Sequence, residues 1–360
     1  MQGSQHLLSG SEACEAAPLL ARRKSKKTLG FVMKVDVGGA LARLAPELGG
    51  TYVEDVQRLS GGASLETWAF AVIGGEGRRE MILRRRTVPL DEVHSRSIPL
   101  ATEALLIMAA AQVGAPVARL VWLCGPGDGL GEAHITARVP GETLGRKVVS
   151  DPRFEAIRPR LAHQCGRVAA RIHSIKGEGV PLEHADALAE LERYEAVYRG
   201  LEADRPILEL ALQHLKKSPP PSIPEVLLHG DFRNGNIVFD AAEGVVAVLD
   251  WELSHWGDPA EDLSWICVNS WRFGRVERPV GGFGEYRELL DGYLEAGGVE
   301  IPLSRLLYWQ ALGSLKWGIL CLKMYRSYAT GGEKSIERPM IGRRISETEA
   351  DLIYMLEAGL

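Results

Sequence analysis

The sequence predicts an α+β fold of two lobes, a small N-terminal lobe built on an antiparallel sheet and a larger, mainly helical C-terminal lobe. Three short segments rich in apolar and β-branched residues, 52–59, 65–73 and 79–86, are separated by the turns Ser60-Gly-Gly-Ala-Ser64 and Gly74-Gly-Glu-Gly77. After Pro140-Gly141 almost everything up to Leu215 reads as helix, which places the lobe boundary there: 31–139 in the first lobe and 140–360 in the second. Inside the second lobe, two apolar stretches, 236–239 and 245–249, flank Asp240-Ala-Ala-Glu-Gly244 and predict a β-hairpin with polar residues at its open end.

Taken in order, residues 1–30 carry Gln, Ser, Gly and the basic run Arg22-Arg23-Lys24-Ser25-Lys26-Lys27 with little apolar periodicity, and read as a disordered N-terminal extension. Leu41, Leu44 and Leu48 share one side of a short helix over 40–48, with Pro46 set against its last turn. Beyond the three strands, 101–112 forms a helix with Glu103 in its first turn, and 117–124 and 133–139 complete the sheet. In the second lobe Ile157, Leu161, Cys165, Val168 and Ile172 mark the buried face of a long helix over 154–175. Helix resumes from His184 to Leu215 with a break at Pro206, and the proline-rich 216–224 is an extended connector. Tyr286, Leu289, Leu290, Tyr293 and Leu294 follow helical spacing, 303–325 is apolar nearly all round, and 347–356 closes the chain as helix.

Composition narrows the function. At 360 residues, 46% hydrophobic and 25% charged, with a formal net charge of -5, the chain is an ordinary globular protein with no basic footprint for nucleic acid. Its five cysteines are odd in number and lack C-x-x-C pairs, which fits a reducing cytoplasm. No run has the length of a membrane span and the N-terminus lacks a secretory signal pattern. The oligomeric state leaves no mark in the sequence.

The chemistry concentrates in 226–263. His229-Gly230-Asp231 precedes the hairpin, Asn236 follows Asp231 by five positions, and Asp250 follows the second strand, so pairing of the strands brings Asn236 and Asp250 to one end. A carboxylate near an acceptor hydroxyl, with a second carboxylate and an amide oxygen to hold Mg2+ against nucleotide phosphates, is the set that phosphoryl transfer needs. Asp-x4-Asn, a short hairpin and another Asp is the protein-kinase core pattern, here written H-G-D and D-W-E. This variant resembles the aminoglycoside phosphotransferase and choline kinase-like family. The continuation Asp250-Trp-Glu-Leu-Ser-His-Trp-Gly-Asp-Pro-Ala-Glu-Asp-Leu is similar to the subgroup that includes the phosphotransferase domain associated with acyl-CoA dehydrogenases.

The resemblance implies a protein-kinase-like two-lobed fold with an N-terminal nucleotide-binding lobe, ATP and Mg2+ as cofactors, and a small-molecule hydroxyl as acceptor. Asp231 is then the base or hydroxyl-orienting group, and Asn236 and Asp250 the Mg2+ ligands; turn capping is the structural alternative for the last two. Arg233 stands two positions after Asp231, where protein kinases have a lysine near the transferred phosphate, and is the candidate to neutralise its charge. Gly61, Gly62 and Ser64 are candidates to cover the phosphates. Arg84 stands where kinases place a phosphate-contacting lysine, with Arg86 in reserve, and Glu103 is its candidate partner; a solvated strand edge and a helix-dipole glutamate account for the same residues. Adenine is expected against the backbone of 136–139. His229, Asp258 and Asp262 are read as support for the loop, and His163 and His173 as core or surface histidines. Trp251, Trp256, Trp265, Trp271 and Phe273 are core packing or, in part, a wall for an apolar acceptor, and the absence of a dedicated acidic cluster makes a hydroxylated metabolite or hydroxyacyl compound at least as good a candidate as an aminoglycoside. Two other readings stand beside this one: a catalytically weak nucleotide-binding protein of the same fold, and a metal-dependent hydrolase built on His229, Asp231 and Asp250.

Overall fold

Alternation along the strands decides which residues reach the cleft. The structure, a computed structural model, describes residues 35–59, 65–88, 96–177, 179–332 and 335–359. The N-terminal sheet holds β1 (Tyr52–Arg58), β2 (Leu65–Gly74), β3 (Gly77–Arg86), β4 (Leu120–Leu123) and β5 (Ala133–Ala137) in the order β1-β2-β3-β5-β4, with antiparallel pairing throughout. Met81 and Leu83 of β3 and Ile135 of β5 are buried against α1 (Val37–Leu44) with Leu41, Leu44, Phe70 and Val72. With a side-chain period of two, Ile82, Arg84, His134 and Thr136 therefore face the other way, toward the second lobe. Helix α1 ends at Leu44 rather than Leu48, because Pro46 has no N–H to donate to the Ala42 carbonyl; Ala45 keeps helical angles and its own N–H turns to that carbonyl at 3.4 Å. Residues 1–30 and the turn holding Gly61, Gly62 and Ser64 lie outside the described residues.

Helix α2 (Leu100–Gln112) lies between β3 and β4 and packs Leu106, Ile107 and Ala110 into the core of the second lobe, whose helices are α3 (Gly145–Ser150), α4 (Arg158–His173), α5 (Ala187–Gly200), α6 (Pro206–Lys217), α7 (Pro259–Trp265), α8 (Tyr286–Glu295), α9 (Leu303–Ala329), α10 (Glu337–Gly342) and α11 (Ile345–Glu357). Leu161, Cys165, Val168 and Ile172 of α4 enter a core that also contains Phe232, Trp251 and Trp309. Helices α4 and α8 cross where two glycines meet: a Cβ on Gly166 would collide with the Leu289 carbonyl, and one on Gly292 with that of His163.

Short strands frame the loop between these helices. They are β6 (His184–Ala185), β7 (Val226–Leu228), β8 (Ile237–Asp240), β9 (Gly244–Val248) and β10 (His255–Gly257). Strands β8 and β9 form the expected hairpin, with Ile237 opposite Val248. His184, expected to begin a helix, lies instead in a strand parallel to β10, so tertiary pairing overrides local propensity and the helix starts at Ala187. Helix α10 has no counterpart in the sequence reading. Leu294, placed on the buried face of α8, is 52% exposed, since that helix packs through Leu289, Gly292 and Tyr293.

Candidate active site

The loop from His229 to Asn236 is held from below by one buried carboxylate. Asp262, in the first turns of α7, accepts hydrogen bonds from the backbone N–H of His229 (2.7 Å) and of Gly230 (2.9 Å), while His173 Nε2 lies 3.2 Å from it. Burial opposes its charge, but the His173 contact and the loop N–H keep its pKa below the ordinary value. Gly230 has φ +81, and a side chain there would also strike the Leu253 carbonyl. His229 donates from Nε2 to the Leu249 carbonyl (2.9 Å) and accepts from Asp231 N–H at Nδ1 (3.2 Å), which fixes one neutral tautomer and ties the loop to the strand leading to Asp250. Asp258 instead caps α7 through Ala260 N–H and anchors α9 by accepting from Arg305 (2.9 Å) and Trp309 (2.8 Å).

Three side chains orient the Asp231 carboxylate. Arg233 Nε (2.9 Å) and Trp265 Nε1 (2.6 Å) donate to Oδ1, and Asn236 Nδ2 (2.6 Å) donates to Oδ2. The Arg233 guanidinium also lies over the Trp271 ring, 4.3 Å from its centre. Asp250 has φ +67, a conformation that turns its carboxylate out of the strand, and Oδ1 accepts from Arg84 Nη2 at 2.8 Å. Arg84 Nε stands 3.6 Å from Glu103 Oε1, so the β3 arginine bridges the α2 glutamate and the second lobe. Arg86, the reserve candidate, pairs with Glu132 (3.1 Å) and the Ile98 carbonyl (2.9 Å).

Arg84, partly buried, and Glu103, fully buried, support each other's charge. Burial alone would weaken the arginine, but Asp250 and then Glu103 raise its pKa. The same burial would raise Glu103, yet Arg84 and then His134 hold it at about 2. Glu252, two residues from Asp250, is raised by burial and by the Asp250 charge. His134 is 1% exposed, neither of its ring nitrogens has a hydrogen-bond partner among the described residues, and its Nε2 lies 3.6 Å from Glu103.

Between the lobes is a cavity of 780 Å³. Leu59, Ile82 and Ala118 line it from one lobe and Val238 and Val248 from the other, and Arg84, Glu103, Asn236 and Asp250 gather at its polar side. Residues 136–139, where adenine was expected, also line it. Asp231 is not a lining residue and stands just beyond Asn236, to which it is bonded. Asn236 turns its Nδ2 toward Asp231, and neither its Oδ1 nor Asp250 Oδ2 takes part in a hydrogen bond among the described residues. An amide oxygen and a carboxylate oxygen on the cavity wall are a donor set that fits a hard divalent cation whose other ligands come from phosphates and water. Among the described residues no group of three or more His, Cys, Asp or Glu could hold a metal, and both ring nitrogens of His229, a ligand in the hydrolase reading, are engaged by the Leu249 carbonyl and the Asp231 N–H.

Trp265 is the residue that sequence reading missed. Expected either to pack in the core or to help wall an apolar acceptor, it instead has its indole N–H bonded to Asp231. It stands three positions after Asp262 on α7, so both face the same loop, and that helical spacing was a usable signal.

Residues 55–298 match the model of the family described as the phosphotransferase enzyme family. Acyl-CoA dehydrogenase family member 10 of Mus musculus is 27% identical over 202 residues, covering 53% of this chain and 18% of the relative. The chain spans between 17% and 37% of the length of the curated relatives it matches. Among solved structures, a Ralstonia eutropha protein assigned as an aminoglycoside phosphotransferase superposes with a TM-score of 0.66 at 20% identity, covering 90% of this chain and 99% of that one. A choline kinase from Cryptosporidium parvum Iowa II gives 0.60 at 11% identity over 90% and 96% of the two chains. At these identities the structural likeness speaks for the kinase-like fold.

Proposed function

The chain belongs to the phosphotransferase enzyme family, and from that premise we propose that it transfers the γ-phosphoryl group of Mg2+-bound ATP to a hydroxyl of a small molecule. The observation that carries this is the convergence of Asp231, Asn236 and Asp250 at one end of the β8–β9 hairpin, with the last two on the wall of the 780 Å³ cavity. Nucleotide base and ribose fit between the apolar walls of the two lobes, with the phosphates toward Arg84 and Asp250.

Asn236 Oδ1 and Asp250 Oδ2 would hold Mg2+, which would supply positive charge to offset that of the nucleotide phosphates. Asp231 orients the acceptor hydroxyl and takes its proton as the oxygen attacks phosphorus; the bond to the ADP oxygen breaks and the proton stays with the carboxylate. Arg233, within reach of Asp231, stabilises charge on the moving phosphoryl group. Arg84 leaves Asp250 for the phosphates, where its fork of donors replaces a lysine. The acceptor class is a hydroxylated metabolite or hydroxyacyl compound, with an aminoglycoside as the competing class. A cytoplasmic setting is part of the same proposal: no described helix is long and apolar enough to cross a membrane, and the four described cysteines form no disulfide.

A second reading, slow catalysis or nucleotide binding alone, is favoured by the Arg84–Asp250 ion pair, which occupies one oxygen of the assigned metal ligand. One screen separates the two: ATP consumption with Mg2+ against hydroxylated metabolites, hydroxyacyl-CoAs and aminoglycosides, with Asp231→Asn as blank. Turnover on one acceptor class, lowered by roughly 10²–10⁴ in Asp231→Asn with little change in ATP affinity, is expected. Equal rates in the two proteins would overturn the role given to Asp231.

A further inference from the structure

Outside the cleft, the helical lobe buries a set of charges that core packing does not require. Arg96, ahead of α2, is bonded through both terminal nitrogens to Glu190 of α5, and its Nη1 lies 3.4 Å from His255 Nε2. His255 Nε2 stands 3.1 Å from Glu261 of α7. Lys316 of α9 completes the set, with Nζ 3.8 Å from Glu261 Oε1, 4.6 Å from the centre of the Trp265 ring and 5.5 Å from that of Tyr194. Arg96, Glu190, Glu261 and Lys316 are each at most 6% exposed. Burial opposes the lysine charge, and Tyr194, Glu261 and Glu190 outweigh it. Apolar residues of the same volume usually serve a core as well or better than such ions.

What the network touches gives it a task. Trp265 is held on its face by Lys316 and one helical turn away by Gly313, whose absent side chain lets α9 approach: a Cβ there would lie 3.2 Å from Trp265 Cε3 and 3.0 Å from Val268 Cγ2. The edge of the same indole donates to Asp231 Oδ1 at 2.6 Å. Arg233, the other donor to that oxygen, is also assigned to the moving phosphoryl group; when it turns there, Trp265 is the donor that remains on Oδ1. A cation on the ring face draws electron density from the indole and makes its N–H a stronger donor.

We propose that Lys316 is a positioning residue for phosphoryl transfer, its ammonium fixed by Glu261 against the ring of Trp265 so that the indole N–H holds the Asp231 carboxylate in one orientation. Glu190, Arg96 and His255 hold Glu261 in turn, which joins the segment leading to the Glu103 helix to the same device. The inference rests on the reading of Asp231 as the group that receives the acceptor proton.

Two measurements test it, one of them independent of any acceptor. In 15N-tryptophan-labelled protein, the Trp265 indole N–H resonance, assigned by its loss in Trp265→Phe, is expected to move upfield in Asp231→Asn and in Lys316→Met, and to stay in place in the exposed control Lys323→Met. A resonance unmoved by Lys316→Met overturns the inference whatever the enzyme phosphorylates. In the second, Mg2+-ATP consumption by Lys316→Met is expected to fall about 10- to 100-fold in kcat with KM for ATP within about twofold, and Lys316→Arg to recover most of the loss. Wild-type kcat in a folded Lys316→Met contradicts it. Should Lys316→Met fail to fold, Gly313→Ala, which pushes on the same ring, must lower kcat without changing KM, and its wild-type kcat counts equally against the proposal. A wild-type protein that consumes no ATP would instead remove the functional reading, while the resonance shifts still decide whether Lys316 sets the indole.

Discussion

Glu103 illustrates how much of the site's charge is stored in single buried groups. Arg84 and His134 hold its carboxyl at about 2 against an ordinary 4.5, in spite of burial. A carboxyl depressed on folding contributes stability that is complete above about pH 4.5 and is lost as pH falls through about 2. Glu103→Gln is therefore expected to flatten part of the fall in Tm across that window, and to lower stability at pH 7 by about 1–3 kcal/mol because Arg84 loses one partner. Glu261, also held at about 2, and Asp262, held below its ordinary value, keep their own share of the acid slope. Thermal unfolding followed by circular dichroism from pH 2 to 7 measures both, and an unchanged profile would show that Glu103 is not charged in the folded state. At this scale the sequence was legible where spacing is short: Asn236 and Asp250 flank one hairpin, so strand pairing brings them to one end, and Asp231 stands on the loop entering it, bonded to Asn236. It was not legible for Trp265, which reaches Asp231 across 34 positions, nor for His134, whose inward direction depends on which face of β5 is covered by α1.

The elements were read best where periodicity and punctuation agree. The β2–β3 hairpin runs from Leu65 opposite Arg86 to Gly74 opposite Gly77, as its turn residues imply. The strand at His184 was lost because two residues carry too little pattern, and its partner β10 lies some seventy positions on. Packing between elements depends on glycines whose purpose only the contact reveals. Helices α4 and α8 approach closely because Gly166 leaves room for the Leu289 carbonyl and the Tyr293 N–H. Gly166→Ala would have to push backbone apart, and is expected to destabilise by about 2–3 kcal/mol, seen as a lower urea midpoint at unchanged m. Gly75→Ala, where an added Cβ meets nothing within 4 Å, is the control. Equal midpoints for the two variants would mean that the α4–α8 contact is looser than described.

Across the whole molecule, the sheet and α1 share a small core, the large core of the helical lobe also takes in Leu106, Ile107 and Ala110 of α2, and a few polar contacts cross between the lobes. Arg84 reaches Asp250 at 2.8 Å, Ile98 N–H donates to the Glu252 carbonyl at 3.0 Å, and Val248 N–H donates to the Pro116 carbonyl at 2.8 Å. Two of these three end on the first and last residues of the D-W-E segment, so the lobes meet beside the residues assigned to the metal and the phosphates. On the proposed reading Arg84 leaves Asp250 for the phosphates when Mg2+-ATP binds, and the cleft is therefore expected to respond to nucleotide and cation together rather than to either alone. Isothermal titration of ATP into the wild type, Asp250→Ala and the exposed Asp291→Asn, each with and without Mg2+, tests this most directly. The account predicts Mg2+-dependent binding in the wild type and in Asp291→Asn, and its loss in Asp250→Ala. Asp250→Ala binding Mg2+-ATP as the wild type does would contradict it.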